Sequence, residues 1–261
     1  MTSPSPLLYR EEKGIARITL NRPEALNALN RELLLALAVR LEQVRAKDAV
    51  KAVIVTGAGD KAFSAGADIE YLHRASPLEV REFARLAVSV NHQIETLGKM
   101  VVAAINGYAL GGGQELAESC MLRVAARHAR VGHPEVSIGA IGGFGGTTRL
   151  PRLIGKGRAA ELLLTGKVIT AEEALHLGLV SKVIEPENLL SAAEELLLEI
   201  LSKSPVAVRL TWEALHRGMN LSLEESALLG ADYFGLVAAS EDFRTGTKAF
   251  LEKTKPAFAG R

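Results

Sequence analysis

Short apolar runs alternate along this chain with longer amphipathic stretches. Ile15 to Leu20 alternates apolar and polar positions, imperfectly, and predicts a strand. Asn30 reads as an N-cap, with Leu33, Leu34, Leu37, Val39 and Leu41 continuing an amphipathic helix. Ala52 to Thr56 is a β-branched run closed by Gly57, the pattern of a buried strand and a turn. Pro77 is expected to open another helix that runs toward Leu97. Val101 to Ile105 repeats the buried-strand pattern and ends at Asn106-Gly107, and Met121 to Ala125 is a third candidate.

This repetition of buried strand, glycine turn and helix predicts an α/β fold. The last third changes character. No strand signal remains after Val180 to Ile184, and from Glu187 onward helix formers dominate. Four helices are predicted there, over 189–203, 206–217, 223–239 and 242–253. The expected organisation is therefore a core over 1–186 and a helical subdomain over 187–261.

Composition narrows the function classes. Of 261 residues 48% are hydrophobic and 23% charged, an ordinary globular balance, and the formal net charge is +1. No strong field steers nucleic acid or a membrane toward such a surface, so neither is expected as a partner. One basic cluster, Arg149, Arg152, Lys156 and Arg158, is read first as a solvated helix face and second as a phosphate contact. The single cysteine, Cys120, lies in an apolar context and reads as a small buried hydrophobe rather than a nucleophile. It fits a reducing compartment. Met1 to Pro6 lacks a leader pattern, and no apolar run reaches the roughly 18 residues needed to span a bilayer. A cytoplasmic location is expected. The six histidines have no metal-ligand spacing, and no metal is expected.

Glycine is the informative residue. Many of the 24 glycines fall in three stretches, Gly57 to Ile69, Asn106 to Leu116 and His133 to Thr147. In the second, Gly111-Gly112-Gly113 opens a helix after a buried strand. Helix N-terminal amides lack intrahelical partners and favour an anion or oxyanion. A plain flexible loop before a helix accounts for the glycines equally well. No phosphate-binding Gly-x-x-x-x-Gly-Lys-Ser/Thr, convincing dinucleotide fingerprint or Gly-x-Ser-x-Gly elbow occurs. Two acids stand beside the glycines. Glu115 falls in the first turn of the predicted helix, and Glu135 follows Pro134. Either alone reads more simply as structural, a helix-start acid or a local ion pair. Together with amide-rich turns they suggest acid–base chemistry.

These same segments resemble the crotonase, or enoyl-CoA hydratase/isomerase, family, over nearly the whole chain from about Leu8 to Arg261. The segments are Phe63-Ser-Ala-Gly-Ala-Asp-Ile69, Gly111-Gly-Gly-Gln-Glu-Leu116, and Pro134-Glu135 followed by Gly142-Gly-Phe-Gly-Gly-Thr-Thr-Arg-Leu150. The tail Ser240 to Lys253 with Lys255-Pro256 and Phe258 also fits. The resemblance implies a spiral of ββα turns with a helical C-terminal trimerisation region. It implies that the amides of Ala67 and Gly112 form an oxyanion hole, that Glu115 and Glu135 are the catalytic carboxylates, and that Gly143 helps hold a water. Ala65, Asp68 and Ile69 would contact coenzyme A, and Tyr108 and Phe144 could line an acyl pocket, although core packing also accounts for both. The implied activity is hydration of a 2-enoyl-CoA, a hydro-lyase reaction with Glu115 activating the water and Glu135 delivering the α-proton. Isomerisation of an enoyl-CoA, another reaction on an acyl-CoA or a non-enzymatic RNA-binding role are the alternatives. No cofactor is implied beyond the coenzyme A of the substrate, and a homotrimer or a hexamer of paired trimers is expected. Gln114 stands where cysteine is frequent in the family, Glu70 where many members have lysine, and His133 is a variable position.

Overall fold

Three of the buried apolar runs are strands, and each is followed by a second strand of only three residues. The computed structural model describes residues 5–261, so the N-terminal segment read above for a leader lies mostly outside the described residues. A hairpin pairs β1 (Leu7–Glu12) antiparallel with β2 (Ile15–Leu20). Helix α1 (Arg31–Arg45) follows, capped by the Asn30 side chain on Leu33 N–H at 2.9 Å. The first full turn is β3 (Ala52–Gly57), β4 (Ala62–Ser64), α2 (Ile69–Arg74) and α3 (Pro77–Glu95). Ser76 and Glu79 form a capping box at the start of α3, with Pro77 at its first position.

The second turn is β5 (Met100–Ile105), β6 (Tyr108–Leu110) and α4 (Gly112–Ser119). The third is β7 (Leu122–Ala126), β8 (Arg130–Gly132), a 3-10 turn Pro134–Ile138, α5 (Gly146–Ile154) and α6 (Lys156–Thr165). Then come β9 (Val168–Thr170), α7 (Ala171–His176) and β10 (Lys182–Ile184). The long strands form one six-stranded sheet in the order β1-β2-β3-β5-β7-β10, parallel beyond the hairpin. The short ones form a second sheet, β4-β6-β8-β9, with β9 antiparallel to β8. This is the spiral of ββα turns that the family resemblance implies.

Between the sheets the chain is held by side-chain amides. Asn106 donates to the Gly57 and Gly59 carbonyls and accepts from Gly57 N–H, at 2.9–3.0 Å. Asn27 donates to the carbonyls of Ala62 at 2.8 Å and Ala58 at 3.0 Å. The core beneath includes Leu33, Leu37, Val53, Phe63, Phe83, Val101 and Leu116, all fully buried. Each such large side chain contributes about 1.5–3 kcal/mol by leaving water.

The chain divides into two compact units, one ending at Glu194 and the other Glu195–Arg261, so the division lies within α8 (Leu189–Leu201) and not at 187. The second unit holds α9 (Pro205–Gly218), α10 (Leu223–Ala238) and α11 (Glu241–Glu252). Ser204, Ser222 and Ser240 cap the three helices. Buried Asp242 accepts from the Ala259 and Gly260 amides and ties the C-terminal residues to α11. Among the described residues no helix is long and apolar enough to cross a membrane.

Candidate active site

The three glycines that open α4 are there because three other segments press on them. Gly111 has φ +49°, and a methyl group on it would lie 3.2 Å from Glu135 Oε1. A methyl on Gly112 would sit 2.7 Å from the Phe144 ring, and one on Gly113 would overlap the Ser64 carbonyl. The flexible-loop explanation of these residues is replaced by close packing. Contact with Ser64 sets α4 against β4 and brings the Gly112 amide beside the loop of Ala67. A methyl at Gly112 would lie 3.4 Å from Ala67 N, and one at Gly66 would lie 3.5 Å from Gly112 N.

The Ala67 amide is kept out of the backbone pairing around it. Leu29 N–H donates to Gly66 O and Asp68 N–H to Leu29 O, which leaves Ala67 N–H without a backbone acceptor among the described residues. Gly112 N–H belongs to the first turn of α4, where no intrahelical acceptor exists. Two neighbouring donors are thus left free. Asp68 fixes the loop from the other side. Its carboxylate accepts from Arg22 at 3.2 Å and caps Tyr71 N–H at 3.3 Å, so any ligand contact there falls to its main chain. Ala65 is half-buried, and Ile69 is exposed beside it.

Glu115 is buried in the first turn of α4. Its Oε1 accepts from Phe144 N–H at 2.8 Å and Gly146 N–H at 2.6 Å. Burial raises its pKa to about 7. The Gly146 amide and the charge of His133 act against that rise, and the charge of Glu135 adds to it. Glu135 enters from the 3-10 turn after β8, and neither of its buried oxygens has a hydrogen-bond partner among the described residues. The two carboxyls meet at Gly142, where a methyl group would lie 3.2 Å from Glu115 Oε1 and 3.7 Å from Glu135 Oε1. Gly143 follows, exposed, with no acceptor for its N–H among the described residues.

Phe144 is buried, stacked edge-on against Phe83 with centroids 5.3 Å apart, and its ring covers Gly112. Its peptide is held at both ends. The N–H donates to Glu115, while the carbonyl accepts from Asn91 and from Arg149, each at 3.0 Å. Arg149 in turn grips Glu95 with two bonds of 2.6 and 2.9 Å. Arg149 is therefore no part of a solvated helix face, in contrast to Arg152, Lys156 and Arg158, which are exposed. Tyr108 also differs from its expected place. It starts β6, is 46% exposed rather than packed in the core, and lies roughly 10 Å of extended chain before Gly111.

A buried polar group stands behind the carboxyls that the sequence reading did not single out. His133 Nε2 meets Glu118 Oε1 at 2.8 Å, and Gln114 Nε2 donates to the same oxygen at 3.2 Å. His133 Nδ1 faces Glu135 Oε1 at 3.7 Å, within reach of its charge but beyond a hydrogen bond. Burial alone would lower the histidine's pKa. The Glu118 bond and the charges of Glu118 and Glu135 prevail and push it up to about 10. The available signal was spacing. Gln114 and Glu118 are four apart on a helix buried on every side, which leaves both needing polar partners.

Known proteins are similar to this chain along their length. Residues 10–261 match the family described as Enoyl-CoA hydratase/isomerase. The chain is 47% identical to the crotonyl-CoA hydratase of Syntrophomonas wolfei, over 98% of both chains. It is 43% identical to the short-chain-enoyl-CoA hydratase of Clostridium acetobutylicum, over 95% of both. The crystal structure of an enoyl-CoA hydratase from Bacillus anthracis superposes with a TM-score of 0.93 at 38% identity, covering 98% of this chain and 100% of that one. Fold, site segments and full-length similarity lead to one assignment: the chain belongs to the enoyl-CoA hydratase/isomerase family.

Proposed function

We propose that this protein adds water across the 2,3 double bond of a short-chain 2-enoyl-CoA thioester, as a hydro-lyase. The observation that carries the reading is the pair of carboxyls facing each other across Gly142, beside the free amides of Ala67 and Gly112. Its most similar relatives named here are hydratases of crotonyl-CoA and of short-chain enoyl-CoA.

In this reading the thioester carbonyl lies on the two amides. Negative charge grows on its oxygen as water adds, and fixed N–H donors hold that charge more strongly than they hold the substrate. Glu115 is fixed by the bonds of its Oε1 to the Phe144 and Gly146 amides, and the water lies on the Gly142 side of the carboxyl, with Gly143 N–H as a further donor. Glu135, with neither oxygen engaged, delivers the proton to the α-carbon. Ala65, Asp68 and Ile69 contact coenzyme A, and Phe144 bounds the acyl end. Coenzyme A arrives with the substrate, and the chemistry calls on no other cofactor.

The same reading takes the chain as a subunit of a homotrimer or of a hexamer of paired trimers, in a cytoplasmic setting. Supporting the assembly are large apolar side chains of the second unit left in water, among them Leu223, Phe250 and Leu251, each 80–90% exposed.

The test is incubation of the purified protein with crotonyl-CoA, following loss of the conjugated thioester absorbance and the product mass. Gain of one water is expected. Glu115→Gln and Glu135→Gln should each reduce turnover by about 100-fold or more while thioester binding persists. A product of unchanged mass, or either variant turning over at the normal rate, overturns the two-carboxylate hydratase reading.

A further inference from the structure

The buried chain Gln114–Glu118–His133 ends against the carboxyl pair and has no part in the chemistry above. Both side chains of its central contact are completely shielded from solvent. An ionised carboxylate in such a place requires a cation or a set of donors. Glu118 has Gln114 and His133 on one oxygen and no partner among the described residues on the other. A charged imidazole answers that requirement, with Nε2–H on Glu118 and Nδ1–H directed at Glu135.

The other side of His133 touches the pair as well. A methyl group at Gly146 would lie 2.7 Å from His133 Cε1 and 3.0 Å from both Cγ and Oε1 of Glu115. The imidazole therefore stands beside both carboxyls, separated from Glu115 by little more than the thickness of one backbone residue. Two carboxyls that share a site do not both ionise readily, and a neighbouring cation eases the charge they carry. Resting on the hydratase reading, we propose that His133, anchored by Glu118, is a positioning residue that supplies the counter-charge for the Glu115–Glu135 pair.

Among the described residues, the charged groups that bear on this cluster come from four elements. Glu115 and Glu118 come from α4, and Glu135 from the turn after β8. Arg149 of α5 adds positive charge near Glu115 and Glu118, but it is gripped by Glu95 of α3. Arg123 of β7 adds charge near Glu118 and is tied to the carbonyls of Leu179 and Cys120. Neither arginine makes a hydrogen bond to Glu115 or Glu135. Among the described residues, His133 is the cation that faces both the buried acid and the reacting pair.

The sign of its effect is fixed. Loss of a positive neighbour makes carboxyls harder to ionise, so every limb of the activity profile that belongs to the pair moves to higher pH. A purely structural histidine would leave the limbs in place.

His133→Gln alone strands the Glu118 charge and can fail to fold. The informative variant is E118Q/H133Q, which replaces the charged contact by two neutral amides able to hydrogen-bond. The Glu118 charge that leaves with the imidazolium opposes it at Glu115 and is the smaller of the two effects, so with crotonyl-CoA both limbs of the kcat/KM profile are expected to move up by a few tenths of a pH unit. KM should stay within about three-fold, because the thioester contacts are untouched. A folded double variant with the parent profile overturns the proposal.

A second arm needs no activity. In protein labelled with 15N-histidine, one imidazole signal, absent from E118Q/H133Q, should remain cationic up to pH 8.5. A signal that deprotonates below pH 7 overturns the counter-charge. If the parent protein hydrates no enoyl-CoA, the hydratase reading fails on its own, and the labelled signal still decides the charge on His133.

Discussion

Glu115 and Glu135 direct their Oε1 atoms at the same point, the space beside the Cα of Gly142. A methyl group there would lie 3.2 Å from one and 3.7 Å from the other. Gly142 does not adopt a positive φ, so its backbone accommodates alanine. Gly142→Ala should fold with nearly unchanged stability, within about 1 kcal/mol. It should lower turnover by about 100-fold or more, because the methyl fills the space a water needs between acid and base. Thermal unfolding and crotonyl-CoA kinetics check the two halves. Retained turnover would place the water elsewhere.

The raised pKa of Glu115 has a consequence for stability. Its ordinary value is 4.5, and in the folded protein it is about 7. Between those values the native state holds a proton that the unfolded chain has released, so stability falls as pH rises through this window. Above it, the buried charge costs at most about 3.4 kcal/mol, the free-energy equivalent of a rise from 4.5 to about 7. Glutamine cannot ionise, and its oxygen still accepts from Phe144 and Gly146. Glu115→Gln should therefore match the parent near pH 5 and exceed its stability near pH 8.5. Urea midpoints at the two pH values measure this. A gap of the same size at both would refute the assignment.

Arg149 joins Glu95 to the Phe144 carbonyl, and Phe144 N–H holds Glu115. Arg149→Met breaks that relay and leaves Glu95 without its arginine. A loss of roughly 2–4 kcal/mol is expected, somewhat below a fully buried pair because each side chain keeps 14% exposure. Turnover should fall further than KM rises, since the contact orients Glu115 rather than the thioester. Equal losses in the E95Q/R149M double variant and in Arg149→Met would show that the loss of the ion pair with Glu95 is not the cause.

Much of the architecture was readable along the chain. The strands Ile15–Leu20 and Ala52–Gly57 and the four C-terminal helices lie within a residue or two of their predicted bounds. Their signals are long enough to show a period. The second sheet was not visible, because β4, β6, β8 and β9 have three residues each, too few for alternation to register. At the site, Glu115 and Glu135 stood out beside glycines. Gly142 did not, since its importance lies in which oxygens converge on it. Arg149 looked solvated because its partners, Glu95 and Phe144 O, come from other elements. Tyr108 looked close to the glycines in sequence, yet a strand carries it away from them. Glu118 and His133 are 15 positions apart, and only the packing of α4 against the turn after β8 makes them one group.

The hydrogen bonds to Glu115 also set an order of events during synthesis. Its two donors, Phe144 and Gly146, follow it by 29 and 31 positions. A nascent chain that has released α4 but not this segment carries a glutamate it cannot bury without stranding an acceptor. The second ββα turn therefore stays open at one end until the third has emerged. At about 5–20 residues per second that interval is a few seconds. Through it the reactive carboxyl keeps α4 in water, so a helix buried along its whole length closes only with the turn that follows it.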